Sequence, residues 1–154
     1  MAPEPLVLPI YRVSLVREGA LKYDQQMRSS RCVAQLLQEY LTDADREYFV
    51  VILVDQKNRL IGINTAFIGS LTASTIHPRE VFKPAFLCNA ASIILGHNHP
   101  SGDTLPSRED RASTTRLVAA GKLLGVAVVD HVIIGSEGRY FSFADEGLLE
   151  KEGG

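Results

Sequence analysis

The run Ala91-Ser-Ile-Ile-Leu-Gly-His-Asn-His-Pro-Ser-Gly-Asp-Thr-Leu-Pro-Ser-Arg-Glu-Asp110 passes from an apolar block, through a bend, into charged residues. Ala91 to Gly96 predicts a buried strand by its length and residue types. Pro100, Gly102 and Pro106 place a loop over His97 to Pro106. Ser107 begins a long helix that reaches about Leu124, with Gly125 as its stop. His97 and His99 stand two residues apart at the strand's end. Alternate side chains of extended backbone share a face, so both imidazoles can point the same way. Asp110 follows in the helix's first turn, three residues past the N-cap candidate Ser107. Two imidazoles and one carboxylate form a common catalytic zinc set, with the fourth position left to water. Zinc can lower that water's pKa to about 7.

Each residue alone also has a purely structural explanation. Ser107-x-x-Asp110 is close to a helix capping box, and a single histidine on an apolar strand is commonly a hydrogen-bonded core residue. The combination is harder to explain that way. Capping needs no histidines, and a core needs no paired ones.

Outward from this stretch, the chain predicts a mixed α/β domain, a central sheet with helices on its faces. Leu6 to Val16 reads as an N-terminal strand, with Pro9 favouring an edge position. Gly19 to Met27 reads as a loop. Ser29 or Ser30 caps a helix with Val33, Leu36, Leu37, Tyr40 and Leu41 at helical spacing. Tyr48 to Val54 is a buried strand, Asp55 to Asn58 a turn, and Leu60 to Ile68 the returning strand of a hairpin. Gly69 to Thr75 is a small-residue loop. Pro78 opens a helix towards Cys88, which Pro84 should kink or shorten. Val126 to Ile134 is a strand, Tyr140 to Phe143 another, and a short helix covers Asp145 to Glu150. The whole chain, 1–154, is expected to be one domain, with a core over about 44–150 and a strand and helix in 1–43.

The chain has 154 residues, 45% hydrophobic and 22% charged, enough for one globular core. Its net charge of −2 gives no electrostatic reason to expect nucleic-acid binding. No stretch approaches the roughly 20 apolar residues of a membrane span. The start lacks a secretory signal pattern, so a cytoplasmic protein is expected. Cys32 and Cys88 sit among apolar neighbours and read as buried free thiols. His-Glu-x-x-His, Pro-Cys-x-x-Cys, Walker and Gly-x-Ser-x-Gly signatures are absent.

The spacing His97-x-His99, seven residues, Ser107-x-x-Asp110 resembles the signature of JAMM (MPN+) metalloproteases. The longer string from His97 to Asp103, then Pro106 to Asp110, with His77-Pro-Arg-Glu80 and Asp130-His131-Val-Ile-Ile134, resembles the bacterial RadC branch. The resemblance runs from about Glu47 to Gly147. It implies the JAMM fold, a cytidine-deaminase-like curved mixed sheet flanked by helices, and one zinc ion per chain. His97, His99 and Asp110 become the ligands, and Ser107 the hydroxyl that steadies the tetrahedral intermediate. The family's proton-carrying glutamate stands just before an early buried strand, the place of Glu47. Glu80 is the rival, nearer in sequence, although glutamate is routine in a helix's first turn. Asp130 either orients His131 or a ligand histidine, or both residues simply end a buried strand and satisfy backbone groups.

Three functions are weighed. The first is zinc-dependent cleavage of a peptide or isopeptide bond, with a peptide or protein as substrate. The second is a DNA repair or recombination factor of RadC type, although the N-terminal residues lack the Gly-rich hairpins of a helix-hairpin-helix module. The third is a metal-bound binding module without protease activity. A nuclease reading of His97-Asn98-His99 fails, because HNH nucleases spread those residues over two strands and a helix.

Overall fold

The computed structural model describes residues 1–23, 26–70 and 75–149. Among them the order is α1 (Ser30–Tyr40), β1 (Tyr48–Val54), β2 (Leu60–Ile68), α2 (Pro78–Leu87), β3 (Ser92–Asn98), α3 (Arg108–Leu124), β4 (Ala127–Ile134) and β5 (Tyr140–Ser142). The strands form one mixed sheet in the order β2-β1-β3-β4-β5. β3 and β4 are parallel, and the remaining neighbours are antiparallel. A parallel pair needs a crossover, and α3 supplies it.

Position in the sheet accounts for the sequence patterns. β1 and β3 lie inside the sheet with a layer on each face, so both read as continuous apolar runs. Edge strand β2 has a mixed pattern of half-buried and exposed residues. The β1–β2 turn is held by Asp55, whose Oδ1 accepts from the N–H groups of Lys57 and Arg59. On one face Phe49, Val51, Leu53, Ile93 and Leu95 pack with Val81, Phe82, Leu117 and Val118 of α2 and α3. On the other, Val50, Ile52, Ile94 and Val132 pack with Val33, Leu36 and Leu37 of α1. Each fully buried side chain of this kind contributes about 1.5–3 kcal/mol. Gly96 belongs to the α1 face, where a Cβ would stand 2.6 Å from both Leu37 methyls. The missing side chain lets α1 lie directly against the strand that carries the histidines.

Several expectations hold. Ser29 caps α1, accepting from the Cys32 N–H. β1 and β2 form the hairpin, and Gly125 ends α3 in the left-handed conformation, with φ 73°. α2 opens at Pro78 as expected and ends at Leu87, but Pro84 does not shorten it, since three helical residues follow.

Others need correction. Leu6 to Val16 is not a strand. Residues 1–23 have no regular structure, and Leu6, Val7 and Ile10 are exposed. The segment pairs with neither sheet edge, β2 or β5, and a strand without a partner leaves its backbone groups to water. The loop expected from His97 starts later, because β3 runs through His97 to Asn98. Residues 143–147 form turns instead of a helix, with Glu146 N–H bonded to Ser142 O and Leu148 N–H to Phe143 O. Gly147, at φ 65°, stops any continuation. Residues 24–25, 71–74 and 150–154 lie outside the described residues, and with them parts of the two expected loops and the end of the expected C-terminal helix. Among the described residues, no helix is long and apolar enough to cross a membrane.

Candidate metal centre

β3 ends beneath α3, and this junction builds the site. His97 is 1% exposed, and its ring stacks on Phe49 of β1 at a centroid distance of 5.9 Å. His99 follows on the same face, just past the strand, and its N–H bonds to Ile134 O of β4. α3 brings Asp110 over both. His97 Nε2 lies 3.0 Å from His99 Nε2 and 3.2 Å from Asp110 Oδ1, and His99 Nε2 lies 3.2 Å from Asp110 Oδ2. These three residues form a group able to hold a metal ion, with one ligand atom from each all within 4.8 Å. His99 and Asp110 side chains keep 13% and 12% exposure, so solvent reaches the cluster from their side.

The chemistry of the donors can be tested for fit. His99 Nδ1 lies 2.7 Å from the Asp103 carbonyl, which can only accept. The ring therefore donates from Nδ1, and the neutral ring has a bare Nε2 facing Asp110. A bare imidazole nitrogen beside carboxylate oxygens is repulsive unless a cation lies between them. Two imidazole nitrogens and a carboxylate suit zinc. In the metal-free cluster a proton takes the cation's place between these atoms. The Asp110 hydrogen bond raises the His99 pKa, with the charge of Glu47 adding to it. Burial works to raise the Asp110 pKa, yet the hydrogen bonds with His97 and His99 outweigh it and hold the carboxyl far below the usual range.

Ser107 and Asp110 do form a complete capping box. Ser107 Oγ accepts from Asp110 N–H at 3.0 Å, and Asp110 Oδ2 accepts from Ser107 N–H at 2.8 Å. The structural explanation and the chemical one coexist, because the box fixes the carboxylate that faces the imidazoles.

The two glutamates fall in different places. Glu47 directly precedes β1, whose register pairs Phe49 with His97. Continued by two residues, that antiparallel register puts Glu47 opposite His99 on the shared face. Glu80 lies on α2, where Lys83 Nζ bonds both of its oxygens at 3.0 Å. That bond lowers its pKa, and the charges acting on it are those of Lys83 and Arg79, not the histidines. His77 is the exposed N-cap position of α2 and makes no side-chain capping bond. Cys88 is half-buried, and desolvation pushes its thiol up.

Asp130 and His131 separate cleanly. Asp130 turns away from the imidazoles. Its Oδ1 accepts from His131 N–H and Ala144 N–H, and its Oδ2 from Ser142 O–H. Burial pushes its pKa up against those bonds. Asp130→Ala would strand three donors, each costing about 1–3 kcal/mol. We expect a loss of at least about 3 kcal/mol by urea denaturation, and an unchanged midpoint would refute this bracing role. His131 lies fully buried behind His97, 2.8 Å from its Nδ1, with Phe143 stacked on its ring at 4.8 Å. Burial holds its pKa well below the usual value.

Two residues escape the sequence reading. Asn98 accepts from Tyr48 N–H at 2.8 Å and donates to Arg46 O at 2.9 Å, so it grips the backbone on both sides of Glu47. Its partners lie about fifty residues away, and no local signal could reveal them. Thr114 lies four residues after Asp110 on the same helix face and reaches His131 Nδ1 at 2.6 Å. The i, i+4 spacing is a signal that could have found it.

Comparison with known proteins agrees with this geometry. Residues 27–148 match the family described as RadC-like JAB domain. The chain is 52% identical over 114 residues to a UPF0758 protein of Rubrobacter xylanophilus, covering 74% of this chain and 49% of that one. A UPF0758 protein of Methanococcoides burtonii is 48% identical over 125 residues, covering 81% and 54%. One of Pasteurella multocida is 44% identical over 129 residues, covering 84% and 57%. The chain thus spans about half the length of the curated relatives it matches.

Proposed function

The chain belongs to the RadC-like JAB domain family, whose fold is that of metal-dependent hydrolases, and from that premise we propose that it hydrolyses a peptide or isopeptide bond using one zinc ion per chain. The observation that carries the proposal is the convergence of His97, His99 and Asp110 at a solvent-reached sheet end. Bound there, zinc would supply a Lewis acid and make water nucleophilic near neutral pH.

The chain's own residues divide the remaining work. Glu47, opposite His99, takes the proton from the attacking water and delivers it to the leaving amine, which general acid–base catalysis requires of one carboxylate. Its neighbours Arg46 and Tyr48 are held by Asn98, so its backbone is tied to the strand bearing the ligands. Ser107 Oγ already accepts from Asp110 N–H, which leaves its own O–H free to donate to the developing oxyanion. Phe49, packed on His97, keeps the inner side of the site dry.

The test is hydrolysis of a peptide and isopeptide panel by chelator-stripped protein before and after reloading with zinc. Cleavage is expected only after reloading. Zinc-loaded protein that cleaves no member of the panel would overturn the hydrolase reading while leaving the metal site intact.

A further inference from the structure

We propose that Thr114 and His131 are positioning residues that set the tautomer of His97, so that its Nε2 presents a lone pair, and not an N–H, to the metal. The proposal rests on His97 being a ligand. Hydrogen-bond geometry and burial together assign the protons along the chain Asp110 O, Thr114, His131, His97.

The Thr114 hydroxyl lies 2.6 Å from the Asp110 carbonyl oxygen and 2.6 Å from His131 Nδ1. A hydroxyl has one proton, and a carbonyl can only accept. The proton therefore goes to Asp110 O, and Thr114 Oγ1 must accept from His131. That makes His131 Nδ1 the N–H. The ring is fully buried, stacked on Phe143 and edge-on to Phe49, where burial disfavours a charged imidazole, and a neutral ring with its proton on Nδ1 has a bare Nε2. His131 Nε2 lies 2.8 Å from His97 Nδ1, so His97 must donate from Nδ1. Its Nε2 is then bare, facing His99 and Asp110.

The direction of every bond thus follows from one helical carbonyl. The same helix supplies Asp110 as ligand, so α3 places one ligand and, through Thr114 and His131, orients another. His99 reaches the same state by a separate route, donating Nδ1–H to Asp103 O. Partners of this kind, standing behind a ligand histidine, are worth about 10- to 100-fold in metal affinity.

Valine at position 114 keeps the shape of threonine and removes the oxygen. His131 Nδ1 then has no acceptor, the Nε2–H tautomer becomes favoured, and that proton opposes His97 Nδ1–H. His97 is driven to carry its proton on Nε2, where the metal belongs. The experiment is zinc affinity by competition with a chromophoric chelator for wild type, Thr114→Val and Thr114→Ser. Alongside it, long-range 15N–1H spectra of the histidine rings in the wild-type protein report the tautomers. Thr114→Val should bind zinc about 10- to 100-fold more weakly, and Thr114→Ser, which restores the hydroxyl, should stay close to wild type. His131 and His97 should both carry their proton on Nδ1. Wild-type affinity in Thr114→Val, or a loss in Thr114→Ser as large as in Thr114→Val, overturns the relay but not the ligand set. Wild-type protein that takes up no zinc overturns both. If Thr114→Val does not fold, the wild-type spectra decide, and an Nε2–H on His131 overturns the proposal.

Discussion

His97→Ala protein is expected to emerge from dialysis without zinc, while wild type keeps about one ion per chain. Alanine removes one of three protein ligands, and the two that remain, His99 and Asp110, are a poor set for a cation that prefers four ligands. The loss should exceed the roughly 10- to 100-fold typical of a residue that only supports a ligand. His131 cannot substitute. It is fully buried behind His97, and its Nδ1 is committed to Thr114. The variant also strands His131 Nε2, an unpaired buried acceptor costing about 1–3 kcal/mol. Circular dichroism at the temperature of the dialysis therefore belongs in the same experiment. Elemental analysis gives the answer: a folded His97→Ala protein that retains stoichiometric zinc would remove His97 from the ligand set.

Glu47→Gln should retain zinc and lose about 10²- to 10⁴-fold in turnover, the usual worth of a positioned acid–base group. Glutamine preserves size and hydrogen bonding but cannot carry the proton. The zinc measurement matters because the side chain stands opposite His99 without belonging to the metal-holding group. Retained metal with lost activity separates proton transfer from metal binding. Glu80→Gln is the matched control, since that carboxylate is clasped by Lys83 on the exposed side of α2. Full activity in Glu47→Gln together with a collapse in Glu80→Gln would exchange their roles.

Much of the fold is legible because local chemistry and tertiary demand coincide. Tyr48 to Val54 is apolar at every residue because β1 lies inside the sheet with a layer on each face. α1 starts where Ser29 can cap it, and α3 runs from the Ser107 box to Gly125. The N-terminal segment shows the limit. Leu6 to Val16 has strand composition, yet composition reports only which residues suit a pleated surface. Whether another strand offers free backbone groups beside it is a property of the whole sheet.

The metal cluster is legible for a similar reason. His97 and His99 share a face by the period of extended backbone, and Asp110 is tied to Ser107 by capping. Both relations are local, and the sequence by itself determines them, along with the donor chemistry that suits zinc. What lies behind the ligands is not local. In the β3–β4 pairing Ile93 faces Val128, but Ile94 faces Asp130, so Val129 is an extra residue and β4 bulges. Side chains alternate with period two, so one inserted residue exchanges the faces of everything beyond it. The bulge turns His131 towards α3 and the metal ligands and sends Asp130 to Ser142 and Ala144 on the other side. The letters Asp130-His131 are compatible with either residue at the site. Only tertiary structure could choose, because the choice depends on how β4 pairs with a strand some thirty residues away.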